Sequence, residues 1–266
     1  MIITEKDLLD EAQFYPNCPN VGGSCTPKYI IMHFTCMMDR KSVSQYFMNP
    51  SAKVSSHLVL GTDGKFSQMA PFTTKTWHAG ASYYQGHSDI NGQGIGIEIC
   101  NYGECNALTP DGKFVVPRRG ESLPQEYRKV EDWIKIDGAW WQKYTEAQFR
   151  ALDELVPLLV DHYKIRDVAG HSDIAVPKGR KNDPGPAFPM AHYKAFADYG
   201  NSGSMGNYVA SIGDLNVRGG PGAEFAILAK LNRGDTVKVL KQDGQWMLVQ
   251  YDKTKGYVHS AFLLKT

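Results

Sequence analysis

The chain has 266 residues, 42% of them hydrophobic and 21% charged, with 29 Lys and Arg set against 28 Asp and Glu. That length accommodates one large domain, or one medium and one small, with an apolar core. A net charge of +1 excludes an overall electrostatic footprint for nucleic acid or an anionic membrane, and no apolar run reaches the roughly 20 residues that span a bilayer.

The first residues, MIITEKDLLDEAQFYPN, lack the basic n-region and apolar h-region of a secretory signal. The expectation is a product made in the cytoplasm that acts elsewhere only after release or delivery. KYIIMHF (28–34) is an apolar, β-rich run ending at His33, and DRKSVSQYFMN (39–49) has helical potential. SSHLVLGTDGKFSQMAPF (55–72) holds two strand candidates around Asp63-Gly64, a tight-hairpin signal. GIGIEICNYG (94–103) reads as a further strand, in which Ile95, Ile97 and Ile99 alternate against Glu98. Residues 104–144 are polar, punctuated by Gly and Pro, and contain Trp133, Trp140 and Trp141; an elaborated loop is expected there.

TEAQFRALDELVPLLVDHYK (145–164) is the strongest helix. Thr145 and Gln148 form a capping box, and Phe149, Leu152, Leu155, Val156, Leu159, Val160 and Tyr163 keep to one broad face, with Pro157 expected to bend it. The run VAGHSDIAVPKGRKNDPGPAF (168–188) is too rich in Pro and Gly for a regular helix or a central strand, yet it carries His171, Lys181 and Asp183. DYGNSGSMGNY (198–208) has the texture of a linker. Beyond it, short alternating runs at 236–240, 245–251 and 256–260, broken by Arg233-Gly234-Asp235 and Asp243-Gly244, predict a small all-β barrel.

The five cysteines (Cys18, Cys25, Cys36, Cys100, Cys105) contain no C-x-x-C pair, which argues against a zinc ribbon and a full disulfide framework. Mostly reduced thiols are expected, with Cys18–Cys25 and Cys100–Cys105 the pairs open to bridging in an oxidising setting. Cys36 is expected to be buried.

Two histidines and a carboxylate, such as His33, His171 and Asp183, form a suitable three-ligand set for a catalytic zinc with a fourth position for water. Spacing alone leaves open the plainer reading of hydrogen-bonding loop and strand-end histidines. Six ordered blocks sharpen it: IIMHFT, SSHLVLGTDGKFSQM, KTWHAGAS, GIGIEICN, VAGHSDIA and GRKNDPGPAF, spanning about residues 28–190. Through them the chain resembles the zinc-dependent N-acetylmuramoyl-L-alanine amidases, a family that includes phage lysozyme-like amidases and animal peptidoglycan recognition proteins. The resemblance implies an α/β domain, a mixed central sheet flanked by helices. It makes His33, His171 and Asp183 the zinc ligands, Glu98 the catalytic carboxylate and Lys181 the cation beside the metal.

Trp77 and His78 are the candidates for substrate contact, with plain packing as the alternative. His57 reads as a supporting or core histidine, and Lys178 and Arg180 as solvated loop charges near a substrate carboxylate. The DLNVRGGPG stretch (214–222) with Gly256-Tyr257-Val258-His259 resembles bacterial SH3-like domains, which implies a cell-wall-binding role. The expected layout is a catalytic domain over 1–199, a linker over 200–206 and an SH3-like domain over 207–266. The expected activity is hydrolysis of the bond between N-acetylmuramic acid and L-alanine of peptidoglycan by a zinc-bearing monomer that neither binds nucleic acid nor inserts into membranes. A recognition module that does not cut, and a peptidase acting within the stem peptide, are the rivals.

Overall fold

Six short strands carry the first part of the chain, whose computed structural model describes residues 1–105, 107–117, 123–202 and 206–266. They are β1 (Gln13–Phe14), β2 (Tyr29–Phe34), β3 (Leu58–Leu60), β4 (Phe66–Gln68), β5 (Gly94–Ile99) and β6 (Asp167–Gly170), lying side by side in the order β1-β4-β3-β5-β2-β6. Only β3 and β4 run antiparallel to each other; every other neighbouring pair is parallel. Strands inside a parallel sheet are buried on both faces and so read as near-continuous apolar runs. Tyr29 to Met32 and Ile95, Ile97 and Ile99 obey this, all at 0% exposure. The exceptions, His33 and Glu98, sit directly opposite each other in the β2/β5 register.

Among the described residues are four α-helices: α1 (Arg40–Phe47), α2 (Glu146–Tyr163), the single turn α3 (His171–Ile174) and α4 (Met190–Ser202). Asp39 starts α1 by accepting from the Ser42 N–H at 2.7 Å, and Val43 and Phe47 then pack with Val59 and Met69. The capping box of α2 is present, with Thr145 and Gln148 reciprocally bonded. Leu152, Leu155, Val156 and Leu159 are fully buried, Phe149 and Tyr163 half-buried at the margins of that face, and Pro157 lies inside the helix. The β3–β4 connection contains Asp63-Gly64 as expected, in a five-residue loop closed by Gly61 N–H to Lys65 O at 2.9 Å.

Residues 104–144 correct the expectation of an elaborated loop. Glu104–Cys105, Trp133–Ile136 and Ala139–Gln142 form a three-stranded antiparallel sheet, and Tyr102, Cys105, Val115, Leu123 and Trp133 make a separate small core beneath it. The run 168–188 opens as the edge strand β6, makes the one turn α3, and then proceeds as loop. Cys36 is exposed rather than buried: the chain has already left β2 there and turns through a left-handed conformation, φ +54°. Among the described residues none of the five cysteines is bridged.

The chain forms two compact units, Met1–Lys194 and Ala195–Thr266. Residues 203–205 of the expected 200–206 linker lie outside the described residues. In the second unit β7 (Gly206–Ala210), β8 (Leu215–Arg218), β9 (Ile227–Leu231), β10 (Thr236–Asp243), β11 (Trp246–Tyr251), β12 (Thr254–His259) and β13 (Leu263–Lys265) build an antiparallel sheet ordered β9-β8-β12-β11-β10-β7-β13. Val217, Leu231, Val237, Val239, Val249 and Val258, all at 0% exposure, are its core. No helix among the described residues is long and apolar enough to cross a membrane.

Candidate metal centre

Adjacent strands bring the first two candidate ligands together. β6 pairs with β2 through Gly170↔Met32, so His171, the next residue along, arrives beside His33 at the same end of the sheet. Asp183 is brought back to α3 by a backbone bond, Ser172 N–H to Asp183 O at 3.0 Å. The result is a buried triangle. His33 Nδ1, His171 Nδ1 and Asp183 Oδ2 lie 3.0 Å from one another, at 1%, 4% and 6% residue exposure.

The outer nitrogens decide what this triangle is. His171 Nε2 lies 3.1 Å from the Ala79 carbonyl, which can only accept, so Nε2 carries a proton, and in the neutral ring Nδ1 holds a lone pair. His78 Nε2 donates in the same way to the Gly94 carbonyl at 3.1 Å, which leaves His78 Nδ1 as an acceptor. His33 Nε2, 3.0 Å from that atom, must therefore donate to it, and His33 Nδ1 also presents a lone pair. Burial pushes the His33 imidazole down to about 4, so at neutral pH it does not supply a compensating positive charge. With both rings neutral, two lone pairs and a carboxylate oxygen at this separation form no hydrogen bond to one another. In that state they repel one another, and either a proton or a metal cation among them relieves the repulsion. Atoms 3.0 Å apart can share a point about 2.0–2.2 Å from each, the ligand distance of zinc to imidazole nitrogen and carboxylate oxygen. His33, His171 and Asp183 can together hold a metal ion.

Beside the triangle is a cavity of about 430 Å³ lined in part by Glu98, Lys181, Trp77 and His78. Glu98 Oε2 is buried and has no hydrogen-bond partner among the described residues, a costly state for a carboxylate with nothing to bind. Burial pushes its carboxyl well above the usual range, the Asp183 charge adds to the rise, and Lys181 opposes it. Lys181 is exposed on the loop, and Trp77 is half-buried. His78 lines the cavity too, with both ring nitrogens already engaged. The exposed Cys36 is a further lining residue.

His57 is fully buried and not a ligand: Nε2 donates to the Thr74 carbonyl at 2.8 Å while Nδ1 accepts from the Gly96 N–H at 3.1 Å. Arg180 corrects the expectation of a solvated charge. It is exposed, but its guanidinium reaches three backbone carbonyls, Val176 at 3.1 Å, Ala79 at 3.3 Å and Ala81 at 2.9 Å, and so ties the ligand loop to the segment beyond His78. Tyr144 and Trp141, unassigned from sequence, brace that loop from the other side. The Tyr144 hydroxyl donates to the Pro184 carbonyl at 2.7 Å, and the Trp141 ring covers Gly185 so closely that a Cβ there would lie 2.5 Å from it.

Comparison with known proteins follows the same division of the chain. Residues 23–186 match the family model described as N-acetylmuramoyl-L-alanine amidase, and residues 213–263 match that of the bacterial SH3 domain. A 1,6-anhydro-N-acetylmuramyl-L-alanine amidase of Escherichia coli (strain K12) is 31% identical over 144 residues, 53% of this chain and 57% of the relative. The N-acetylmuramoyl-L-alanine amidase AmiD of the same strain is 27% identical over 198 residues, 70% of this chain and 59% of that protein. A solved complex of AmiD from E. coli with anhydro-N-acetylmuramic acid-L-Ala-D-gamma-Glu-L-Lys aligns with a TM-score of 0.48 at 26% identity, covering 66% of this chain and 59% of the other. The chain thus spans little more than half the length of the curated relatives it matches.

Proposed function

The chain belongs to the N-acetylmuramoyl-L-alanine amidase family, and from that premise we propose that it is a zinc-dependent hydrolase of peptidoglycan, cutting the amide between N-acetylmuramic acid and the L-alanine of the stem peptide. The observation that carries the reading is the triangle of three atoms 3.0 Å apart beside the half-buried Glu98, whose Oε2 is buried without a hydrogen-bond partner among the described residues. Two imidazoles and one carboxylate are a donor set suited to a catalytic zinc, since they leave a position for water. Bound there, zinc would bring the pKa of a coordinated water toward about 7 and polarise the scissile carbonyl.

The chain's own residues have complementary work. Glu98 takes the proton of the attacking water and returns it to the leaving nitrogen, a role favoured by a carboxyl whose affinity for protons is raised by burial. Lys181 offers positive charge at the cavity, where the oxygen of the tetrahedral intermediate develops its negative charge. Trp77 supplies an apolar wall on which the substrate can rest. The second unit, through its bacterial SH3 match, serves as a wall-binding module. A binder joined to the catalytic unit raises the local substrate concentration without any new contact. The protein acts on the cell wall as a monomer after release or delivery, in lysis or wall remodelling. A recognition module that does not cut has no use for an unpartnered Glu98 next to a complete ligand set.

The test is digestion of purified peptidoglycan by the parent and by Glu98→Gln, with and without chelator. Expected are fragments with a free L-alanine amino terminus, loss of cutting in chelator and recovery with zinc. Glu98→Gln should keep its zinc and lose about 10²–10⁴ in rate. Cutting within the peptide, or full activity in confirmed metal-free protein, overturns the proposal.

A further inference from the structure

We propose that Asn91 and His78 are positioning residues that fix the tautomer and aim of both imidazole ligands through one short bracket. The inference rests on the reading of His33, His171 and Asp183 as a metal site, and extends it to residues that never touch the ion. Asn91 lies in a short turn, Ile90–Gly92, and its side-chain oxygen accepts from two consecutive backbone donors, His78 N–H at 2.9 Å and Ala79 N–H at 2.7 Å. One amide oxygen therefore pins the dipeptide His78-Ala79.

That dipeptide serves both ligands. The His78 ring accepts from His33 Nε2 at 3.0 Å, and the next residue's carbonyl, Ala79 O, accepts from His171 Nε2 at 3.1 Å. His33 and His171 are 138 residues apart in sequence, and these neighbouring acceptors give them a common reference frame. Each end is reinforced. The His78 ring is held by Gly94 O at 3.1 Å and lies against Gly96, where a Cβ would be 2.6 Å from it. Ala79 O also receives Arg180 Nη2 at 3.3 Å.

The bracket matters because an imidazole ligates only through a nitrogen that lacks its proton. Each acceptor holds the proton on Nε2 and so keeps the lone pair of Nδ1 on the ion. If the dipeptide moves, both rings lose the partner that selects the tautomer. Losing such an outer partner typically costs about 10- to 100-fold in metal affinity. Asn91→Ala removes the shared acceptor. Asn91→Asp keeps an oxygen in its place. His78→Phe removes the acceptor for His33 while preserving ring bulk, and His78→Asn returns an acceptor atom near the position of Nδ1.

Full-length protein is titrated with zinc against a competing chelator, and ring ¹⁵N shifts of the metal-free protein report the histidine tautomers. Expected is zinc affinity weakened about 10- to 100-fold in Asn91→Ala and His78→Phe, with Asn91→Asp and His78→Asn close to the parent. The Nε2–H signatures of His33 and His171 should be lost in Asn91→Ala. Should Asn91→Ala not fold, the His78 pair decides. A parent that binds no zinc overturns the metal reading itself. A parent that binds zinc, with Asn91→Ala or His78→Phe binding it equally well, overturns the bracket and leaves the metal site standing.

Discussion

The two sides of the His33–His171–Asp183 triangle are held in different ways. His33 stands on β2, and Glu98 faces it from β5; six consecutive residue pairs from Tyr29↔Gly94 to Phe34↔Ile99 fix their relative height. On the strands beneath them Tyr29 to Met32, Ile95 and Ile97 are at 0% exposure. Asp183 and Lys181 sit on a loop with no ladder to hold it. Its position is set by individual struts: Tyr144 to the Pro184 carbonyl, Trp141 over Gly185, Arg180 to the carbonyls of Ala79 and Ala81, and Ser172 N–H to Asp183 O. On the strand side the ligand and the fold are one object. On the loop side they are separable, so substitutions there can weaken metal binding at little cost in folding.

The largest effect belongs to the strand side. In Gly96→Ala the new Cβ would come within 2.6 Å of the His78 ring, and that ring cannot move without breaking its bonds to His33 and Gly94. Overpacking a core of this kind costs about 1–3 kcal/mol, and the upper end is expected because β5 is an interior strand. Denaturant unfolding of the metal-free protein, run beside zinc competition, should show stability and affinity falling together. A stable variant with weak zinc would erase the distinction between the two sides.

What was legible in the sequence follows the same line. Parallel buried strands announce themselves as apolar runs, in which His33 and Glu98 are polar interruptions, but their roles are implied only by the six blocks that resemble the amidase family. The capping box of α2 is equally local, needing only Thr145 and Gln148. The struts are not local. Asn91 meets His78 across 13 residues and Tyr144 meets Pro184 across 40, with no periodic pattern to mark either pair. Residues 104–144 looked like loop because their strands are too short, at two to four residues, to show alternation. One signal was available there: Asp137-Gly138, both at positive φ, joins Trp133–Ile136 to Ala139–Gln142 as a two-residue hairpin turn. Cys36 is expected inside because it lies three residues past His33, close to the presumed metal, but burial ends where the strand does.

A middle effect is expected from Tyr144→Phe, which deletes one hydroxyl and leaves the ring packed against Phe149 and Phe188. The loss is one hydrogen bond to the Pro184 carbonyl, worth about 1 kcal/mol net. Because Pro184 follows Asp183 directly, the loosened loop should reduce zinc affinity by about tenfold, near the lower bound for residues that steady a ligand. The comparison sharpens if this variant unfolds almost like the parent without metal yet releases zinc faster to a chelator. Equal zinc release would remove Tyr144 from the struts.

The smallest effect tests whether being next to a ligand in sequence is enough. Asn182 lies between Lys181 and Asp183, and its side chain donates to Glu104 Oε2 at 3.0 Å, on the surface. An exposed hydrogen bond trades water for protein at nearly equal free energy, and surface substitutions usually fall within about 0.5 kcal/mol. Asn182→Ala should therefore unfold with the parent and hold zinc within about threefold of it, despite touching the same loop as Tyr144. The two variants differ in one respect that decides the outcome, since the Tyr144 bond is buried and the Asn182 bond is not. If Asn182→Ala weakened zinc as much as Tyr144→Phe, burial would not be what makes a strut, and the loop would have to be held by its own chain rather than by the residues packed over it.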